Sequence, residues 1–503
     1  MKYSFLALFT IMVSFQACQN EIKKKISPNI VYILADDMGY GDISYLNRNS
    51  KIKTPHLDEM AQNGIHFTDA HSGSAVCTPT RYGILTGRYA WRSSLKNGVT
   101  WSWSEPLISR ERTTVASLLK KKGYHTACIG KWHLGLGWSK DSSGIVDIRK
   151  PITEGPNDNG FDYFFGITAS LDIPPYIYVE NDRSTTQQID TIEANDVQGM
   201  AFWRKGAIGA DFKMEEVLPV LTQKAVSYIN DRSSQEKPFF LYFPLPAPHT
   251  PILPTREFKG KSGTNPYGDF VLMVDNVVGQ VVEAIKNKGL EENTLIIFTS
   301  DNGCSPRADF ATLADLGHYP SHLYRGHKAD IYEGGHRIPF IAQWKNTIKA
   351  GIHSKETICL TDMLATCAAI TQQPLAANEG EDSYNILPLL TTKTPTDYQR
   401  EATVHHSING SFAIRQGKWK LIFCPGSGGW SQPTPQKAKQ LQLPPLQLYD
   451  LDLDIKEQKN VADKYPEKVK ELRSLMEKII REGRSTSGEI QPNDEPVELF
   501  PTK

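Results

Sequence analysis

Short apolar segments alternate with longer amphipathic segments along most of the chain. The apolar runs are rich in β-branched and aromatic residues and predict buried strands at residues 30–35, 126–130, 239–244 and 295–299. Helical spacing of apolar residues predicts helices at residues 54–64, 114–122, 217–231 and 270–288. This alternation is typical of an α/β fold with a large, mixed, mostly parallel sheet flanked by helices.

The pattern changes after about residue 395. A β-hairpin around Gly417, a Gly- and Pro-rich loop and a charged amphipathic helix are predicted at residues 412–423, 425–433 and 466–482. We therefore divide the chain into a large domain, residues 29–395, and a smaller C-terminal α+β subdomain, residues 396–503, with a small antiparallel sheet and a helix.

The N-terminal residues are of a different kind. An apolar run, too short to span a membrane, gives way to a lysine-rich stretch after Cys18, which is the order of a signal peptide. We assign residues 1–17 to that peptide and residues 18–28 to a linker. Ala17-Cys18 resembles a bacterial lipoprotein cleavage site, after which Cys18 is lipidated. The expected protein is exported to the periplasm or the cell surface and is either anchored by lipid to the outer or inner membrane or free.

Charge and cysteine content narrow the partners and cofactors. The 503 residues include 56 Lys plus Arg and 56 Asp plus Glu, so no basic field attracts nucleic acid, and we expect no nucleic-acid partner. Of the seven cysteines, Cys18 and Cys77 are set apart by their contexts. The other five show no C-x-x-C spacing, which argues against a structural zinc site and allows at most two disulfides.

Polar clusters lie just beyond the ends of the four predicted strands. In chain order they are Asp36-Asp37, then Lys131 and His133 in GKWHLG, then His249 in PAPHTP, then Asp301-Asn302. Ligands of open α/β sheets bind at the carboxyl ends of the strands, where the loops meet. We therefore expect these clusters to lie close together.

Each cluster also has a purely structural explanation. Adjacent aspartates such as Asp36-Asp37 more often cap a helix or lie in a turn, and Asp301-Asn302-Gly303 could form a hairpin turn. Two such pairs at separate strand ends favour a hard cation, because calcium gathers about six to eight oxygen ligands from several segments. Ligands that offer only oxygen favour calcium or magnesium over zinc or copper.

The basic residues allow two interpretations as well. Lys131 and His133, beside glycines and Trp132, are either rigidly placed for a ligand or simply solvated and packed in a loop. His249, among prolines, suits a fixed proton donor or a packing role. Lys328 alone resembles an ordinary exposed lysine. Its neighbours are expected to form structural ion pairs or contacts of a substrate loop, and they are Arg325, His327, Glu333, His336 and Arg337.

The stretch CTPTR, residues 77–81, carries a cysteine without a partner cysteine nearby. Structural thiols lie among apolar side chains, whereas reactive ones need a positive and partly open setting. Small polar neighbours and Arg81 favour a reactive residue at position 77.

Together these motifs resemble a known family. ADDMG, CTPTR with LTGR, GKWHLG, PHTP, SDNG and the lysine of GHK follow one another in the order seen in the formylglycine-dependent type I sulfatases of the alkaline phosphatase superfamily. The resemblance extends from about residue 29 to residue 340. It implies an alkaline-phosphatase-like fold and, with the export signal, an arylsulfatase-like bacterial carbohydrate sulfatase.

The resemblance also assigns residues. It implies that a maturation enzyme, which reads Pro79 and Arg81, oxidises Cys77 to formylglycine; Thr80 stands where serine is common. One calcium ion would be held by Asp36, Asp37, residue 77, Asp301 and Asn302. The catalytic residues would be Cys77, Arg81, Lys131, His133, His249 and Lys328.

The implied reaction is hydrolysis of a sulfate ester, in which cations and a proton donor must converge on the sulfate. Calcium would polarise the sulfate and help activate one hydroxyl of the gem-diol at residue 77, and that hydroxyl would attack sulfur. His249 would protonate the leaving alcohol. His133 would then accept the second hydroxyl's proton as sulfate leaves and the aldehyde re-forms. Lys131 and Lys328 would bind sulfate oxygens. A serine at this position would be trapped as a stable sulfate ester.

The expected substrate is a sulfated glycan such as a glycosaminoglycan or mucin. We expect a 6- or 4-sulfated galactose or N-acetylgalactosamine at a chain end. Aromatic rings stack on sugars, so Trp91, Trp101, Trp103 and residues 170–182 are candidate walls, and Asp172 is the candidate contact for a sugar hydroxyl.

Two other functions remain open. A phosphodiesterase or phosphonate hydrolase of the same superfamily could use the same nucleophile. A glycan-binding surface lipoprotein could keep the fold without catalysis, although a binder does not need a nucleophile, metal ligands and proton donors together.

Overall fold

The computed structural model describes residues 27–197, 200–233, 237–392 and 398–500. The expected signal peptide, Cys18, most of the linker and the expected boundary at residue 395 lie outside these residues. Within them, no helix is long and apolar enough to cross a membrane.

A ten-stranded mixed sheet forms the centre of the fold. In spatial order its strands are Ile352–Ser354, Ile65–Phe67, Phe340–Gln343, Thr294–Ser300, Asn29–Ala35, Phe239–Pro244, His125–Lys131, Tyr163–Ile167, Val179–Glu180 and Arg183–Ser184. The strands from Thr294–Ser300 to Tyr163–Ile167 run parallel to one another. Phe340–Gln343 and Val179–Glu180 run antiparallel to their neighbours. The predicted mixed, mostly parallel sheet is confirmed.

Helices cover both faces of this sheet. The α-helices of the described residues are Pro55–Gln62, Cys77–Thr86, Val115–Lys120, Val217–Arg232, Pro266–Asn287, Phe310–Asp315, Glu333–His336, Met363–Ile370, Leu387–Thr391, Pro435–Gln440 and Pro466–Arg481. Alternate residues of Asn29–Ala35 point into two separate apolar clusters, Val31 and Ile33 into one, Ile30 and Tyr32 into the other. Burial on both faces explains why the central strands read as continuous apolar runs.

Two helices beside the site show why the prediction and the structure differ. Pro266–Asn287 begins earlier than expected, because Asn265 caps it by accepting the Gly268 N–H at 3.2 Å, and Pro266 suits the first position. Cys77–Thr86 was not predicted at all. Every residue of that helix is buried, so its sequence carries no amphipathic pattern.

The C-terminal part contains a separate four-stranded antiparallel sheet. Its strands are Thr403–His406, Phe412–Gln416, Trp419–Ile422 and Gln447–Asp450, in that spatial order. The predicted hairpin around Gly417 is confirmed. The helix Pro466–Arg481 buries Leu472 and Met476 against this sheet.

The remaining elements are short. Two-stranded pairs join Ala70–His71 to Ile358–Cys359, Ile189–Ile192 to Gly206–Gly209, and Asn195–Val197 to Ala201–Trp203. Short 3-10 helices cover Tyr40–Asp42, Ala90–Arg92, Met214–Glu216, Glu291–Asn293, Pro306–Ala308, Leu360–Asp362 and Ala462–Lys464. The six cysteines of the described residues are all buried free thiols, at positions 77, 128, 304, 359, 367 and 424.

Candidate active site

The two acidic pairs meet at the carboxyl edge of the central sheet. Ala35 lies opposite Ser300 in neighbouring parallel strands, which brings the residues that follow them together. The Asp37 N–H donates to Oδ1 of Asp301 at 3.2 Å, and Nδ2 of Asn302 donates to Oδ1 of Asp37 at 2.7 Å. Asp37 has a positive φ of 68°, a backbone conformation that aspartate tolerates better than most residues.

Residue 77 begins a helix that points at these carboxylates. The Sγ of Cys77 and carboxylate oxygens of Asp36 and Asp301 lie within 4.8 Å of one another. Arg81, one helical turn on, donates from Nε and Nη2 to Oδ2 of Asp301, at 3.1 and 2.8 Å, and from Nη1 to the Lys131 carbonyl at 3.0 Å. The expected positive setting of Cys77 is present.

The expected partly open setting of Cys77 is wrong. The residue is only 3% exposed, and burial raises the pKa of its thiol above the ordinary value. A neutral, buried thiol is a poor nucleophile.

Two buried lysines flank the carboxylates. Nζ of Lys131 lies 2.6 Å from Oδ2 of Asp36, and Nζ of Lys328 lies 2.7 Å from the Asp37 carboxylate. Burial would lower the pKa of Lys328, but the charge of Asp37 raises it above the ordinary value. Lys328 is therefore a fixed cation rather than the exposed lysine that its sequence suggested.

His133 and His249 differ in which ring nitrogen is hydrogen-bonded to a backbone carbonyl. Nε2 of His133 lies 2.8 Å from the carbonyl oxygen of Thr100 and can donate to it, and its Nδ1 is buried with no hydrogen-bond partner among the described residues. Burial, with the charges of Lys131 and Arg81, holds the pKa of His133 well below the ordinary value, so its ring is neutral. Nδ1 is then the nitrogen that can accept a proton.

His249 has the opposite arrangement. Its Nδ1 lies 2.7 Å from the carbonyl oxygen of Thr250, while its Nε2 lies 3.6 Å from Oδ2 of Asp37. A carbonyl only accepts, so Nδ1 carries a hydrogen and Nε2 is the nitrogen that gains or loses one.

The acidic cluster fits a hard divalent cation. Oδ1 of Asp36 and Oδ1 of Asn302 are buried and have no hydrogen-bond partner within the described residues. Burial and the charge of Asp36 raise the pKa of Asp301 to about 7, although Arg81 opposes the rise. Crowded carboxylates and unpartnered oxygens are what a cation bound by oxygen ligands would satisfy.

The candidate sugar contacts divide into two groups. Trp101 and Trp103 are 50% and 47% exposed, whereas Trp91 is 1% exposed and packs edge-on against Phe412 at 5.3 Å. Trp91 is therefore a core residue, and its assignment as a sugar wall was wrong. Asp172 is 7% exposed and lies in the loop after the strand Tyr163–Ile167.

Sequence reasoning placed Ser170 only in a candidate sugar wall, residues 170–182, and not beside Lys131 and His249. Its Oγ lies 3.3 Å from Nζ of Lys131 and 3.3 Å from the ring nitrogens of His249. The strand Tyr163–Ile167 was not predicted, so the rule that pointed to the other strand ends was never applied here. Recognising the aromatic run of Tyr163–Ile167 as a strand would have placed Ser170 at the same edge of the sheet as the other site residues.

Of the residues around Lys328, Glu333 and Arg337 form a structural ion pair, which is one of the two expected roles. Nη1 of Arg337 lies 3.0 Å from Oε2 of Glu333. Oε1 of the same carboxylate lies 3.0 Å from Nζ of Lys420, in the C-terminal sheet. His336 lies 3.7 Å from the same carboxylate. These contacts join the large domain to the C-terminal sheet. The remaining two neighbours bind backbone oxygens, at 2.6 Å for Arg325 and 2.9 Å for His327.

Known proteins share both this sequence and this fold. The sulfatase family model matches residues 28–372. An N-acetylgalactosamine-6-O-sulfatase of Bacteroides thetaiotaomicron is 35% identical over 487 residues, covering 90% of this chain and 93% of that protein. Arylsulfatase A of Homo sapiens is 33% identical over 475 residues, covering 89% of this chain and 87% of that protein.

A solved structure from work on glycosaminoglycan metabolism by Bacteroides thetaiotaomicron superimposes with a TM-score of 0.79. It is 34% identical and covers 90% of this chain and 99% of that chain. The family generally uses formylglycine and a divalent metal, and the acidic cluster described above suits such a metal. The chain therefore belongs to the sulfatase family and is an enzyme that hydrolyses sulfate esters of sulfated carbohydrates.

Proposed function

We propose that this sulfatase removes sulfate from a 6- or 4-sulfated galactose or N-acetylgalactosamine at the end of a glycan, and that 6-sulfated N-acetylgalactosamine is the preferred unit. The observation that carries the desulfation reaction is the position of residue 77, whose Sγ lies within 4.8 Å of the Asp36 and Asp301 carboxylates. The relative named N-acetylgalactosamine-6-O-sulfatase, at 35% identity over 90% of this chain, supports the preferred unit.

The cofactors of the proposal are one calcium ion and a formylglycine at residue 77. Asp36, Asp37, Asp301 and Asn302 would hold the ion together with residue 77, and their oxygen-only side chains favour calcium over zinc. When bound, calcium would supply positive charge beside the sulfate, and formylglycine would supply an oxygen nucleophile that a thiol lacks.

The protein's own side chains would do the rest of the work. Lys131 and Lys328, both buried cations, would neutralise sulfate oxygens, and Arg81 would hold residue 77 in place. Nε2 of His249 would give its proton to the leaving alcohol. The unpartnered Nδ1 of the neutral His133 would take the proton released at residue 77.

Maturation and export are part of the same proposal. Cys77 and Thr80 are at most 3% exposed, and Arg81 is fully buried, so a maturation enzyme would have to read them before the chain folds. The signal sequence and Cys18 support export and lipid anchoring at the periplasmic or outer cell surface. Retention of a Cys18→Ser variant in the membrane fraction after export would contradict the anchor.

The proposal is tested with protein made alongside a formylglycine-generating enzyme. Mass measurement of the peptide carrying residue 77 is expected to show the aldehyde, and Cys77→Ala is expected to abolish desulfation of 6-sulfated N-acetylgalactosamine. Cys367→Ala is the matched control, because Cys367 is a buried free thiol on a different helix. Activity that survives Cys77→Ala would contradict the nucleophile.

Substrate choice is tested on defined saccharides and on paired esters. Chain-end sugars sulfated at position 6 are expected to react faster than those sulfated at position 4. The sulfate ester of an aryl alcohol is expected to react faster than a phosphate diester of the same alcohol. Preference for the phosphate would favour the phosphodiesterase alternative.

A further inference from the structure

The carboxylate of Asp172 has unused capacity to accept hydrogen bonds. Its Oδ2 pairs with Nη1 of Arg204, while its Oδ1 has no hydrogen-bond partner among the described residues. Burial would raise the pKa of Asp172, but the charges of His249 and Arg204 lower it, so the carboxylate is ionised. An ionised carboxylate with an unpartnered oxygen is rare inside a protein and indicates that a donor binds there. The side chain is 10% exposed, so solvent reaches its edge.

Arg204 is held in one position on three sides. Its guanidinium lies over the ring of Trp101 at 5.1 Å and over the ring of Phe202 at 4.9 Å. The Tyr176 hydroxyl accepts the Arg204 backbone N–H at 3.0 Å and also lies 3.1 Å from the Asp172 carbonyl oxygen. The Asp172–Arg204 pair is thus fixed through both backbone and side chains.

Arg204 also keeps donors to spare. Its side chain is 39% exposed. Within the described ranges, the hydrogen bonds of its guanidinium run only from Nη1, to the backbone and side-chain oxygens of Asp172. A guanidinium carries five N–H donors, so Nε and Nη2 remain to face a ligand.

The pair lies between the segments that position the two histidines. Asp172 is two residues beyond Ser170, whose Oγ lies 3.3 Å from the His249 ring. On the other side, Trp101 follows Thr100, whose carbonyl oxygen lies 2.8 Å from Nε2 of His133. The Asp172–Arg204 pair is therefore connected, through one short segment on each side, to both histidines of the site.

We propose that Asp172 and Arg204 together recognise one hydroxyl group of the sulfated sugar, and that this pair determines which sugar the enzyme accepts. This inference rests on the proposed function and names its specificity determinant. A hydroxyl both donates and accepts, so it can donate to the Asp172 carboxylate and accept from Arg204 at once. A site built around such a contact rejects sugars that lack the hydroxyl or carry it in the other configuration, because its buried polar groups are then unpaired.

The test compares three substrates with matured protein. They are 6-sulfated N-acetylgalactosamine, its glucosamine stereoisomer, and an aryl sulfate that has no sugar hydroxyl. Asp172→Asn and Arg204→Ala are each expected to lower kcat/KM on the better sugar about tenfold to a hundredfold. Both variants are expected to stay within about twofold of wild type on the aryl sulfate, and the ratio between the two sugars is expected to shrink.

Two further variants separate recognition from folding. Arg204→Lys keeps the charge but loses the planar fork, so it is expected to fall well short of wild type on the sugar. The double variant Asp172→Asn/Arg204→Ala is expected to lose less kcat/KM on the sugar than the product of the two single losses, because both residues bind one hydroxyl. Arg110→Ala is the matched control, since Arg110 is an exposed arginine paired with Glu154 at 3.1 Å on other segments.

The outcomes separate this inference from the function on which it rests. Equal losses of kcat/KM on the sugar and the aryl sulfate, or no loss on the sugar, would contradict hydroxyl recognition by Asp172 and Arg204 and leave the proposed function intact. A wild-type protein that hydrolyses the aryl sulfate but no sulfated saccharide would overturn the proposed substrate class and this inference together.

Discussion

The guanidinium of Arg81 donates two hydrogen bonds to a single oxygen of Asp301, at 3.1 and 2.8 Å, and solvent reaches neither side chain. Arg81 lies on the helix that begins at residue 77, and Asp301 lies at the end of a central strand. The pair therefore fixes the helix against the sheet edge and sets the distance between residue 77 and the acidic cluster. Lysine cannot reproduce this arrangement, because it presents a point charge instead of a planar fork.

We expect Arg81→Lys to lower kcat by about a hundredfold or more, measured per molecule with formylglycine at residue 77. The fraction of molecules that carry formylglycine must be determined by mass measurement, because Arg81 is also part of the maturation signal and its substitution lowers that fraction. Arg92→Lys is the matched control: Arg92 makes two bonds of 2.8 Å with the buried Asp382, outside the site. That control is expected to lower stability while corrected kcat is retained. Equal corrected kcat in both variants would contradict the role of Arg81.

Removal of the metal gives a second prediction. Chelation is expected to abolish activity and to lower Tm, because an ion that binds only the folded state stabilises it by about 2.7 kcal/mol at a concentration one hundred times its Kd. Calcium is expected to restore both, and zinc is not, since the cluster of Asp36, Asp37, Asp301 and Asn302 offers oxygen ligands. Asp301→Asn is expected to weaken the calcium-dependent rise in Tm. An unchanged Tm after chelation would argue against a bound ion.

Much of the site was predictable because it follows the ends of apolar strands. Asp36 and Asp301 directly follow strands that the apolar pattern predicts, Lys131 ends one, and His249 lies in the loop after another. Parallel strands bring such positions to one edge of a sheet. The mixed sheet and the C-terminal hairpin were predictable for the same reason.

What could not be predicted depends on contacts between distant segments. The helix Cys77–Thr86 is buried on all sides and therefore shows no amphipathic pattern. The burial of Trp91 depends on packing against Phe412, more than three hundred residues away in the sequence. The Asp172–Arg204 pair joins two loops by an ion pair that no spacing rule indicates.

The role of His249 gives a third prediction. We expect His249→Gln to slow hydrolysis of sugar sulfates about a hundredfold to ten-thousandfold, because their alkoxide leaving groups need a proton. Aryl sulfates with acidic leaving groups are expected to lose little. The exposed His353 provides the control, as His353→Gln, which is expected to change neither rate. Equal losses on both classes of substrate would exclude proton donation by His249.

The fourth prediction concerns the junction with the C-terminal sheet. Lys420 lies 3.0 Å from a carboxylate oxygen of Glu333 and 2.8 Å from one of Glu457, and all three side chains are fully buried. Glu333 also pairs with Arg337 at 3.0 Å, so the two carboxylates share Lys420 unequally. Burial raises the pKa of Glu457 to about 7, and the charge of Glu333 adds to the rise although Lys420 opposes it.

A raised pKa means that the folded state binds this proton more tightly than the unfolded chain, where glutamate titrates near about 4.3. The contribution of Glu457 to stability is therefore complete below that value and is lost as pH rises toward about 7. Glutamine stays neutral, so Glu457→Gln is expected to have a Tm close to wild type at low pH and a few degrees above it, about 2–4 °C, at pH values above 7. Gln440→Ala, at the exposed end of the helix Pro435–Gln440, is the control. Neither glutamine nor alanine titrates, so its Tm difference from wild type is expected to be the same at both pH values. A Glu457→Gln difference that does not change with pH would show that folding does not raise the pKa of Glu457.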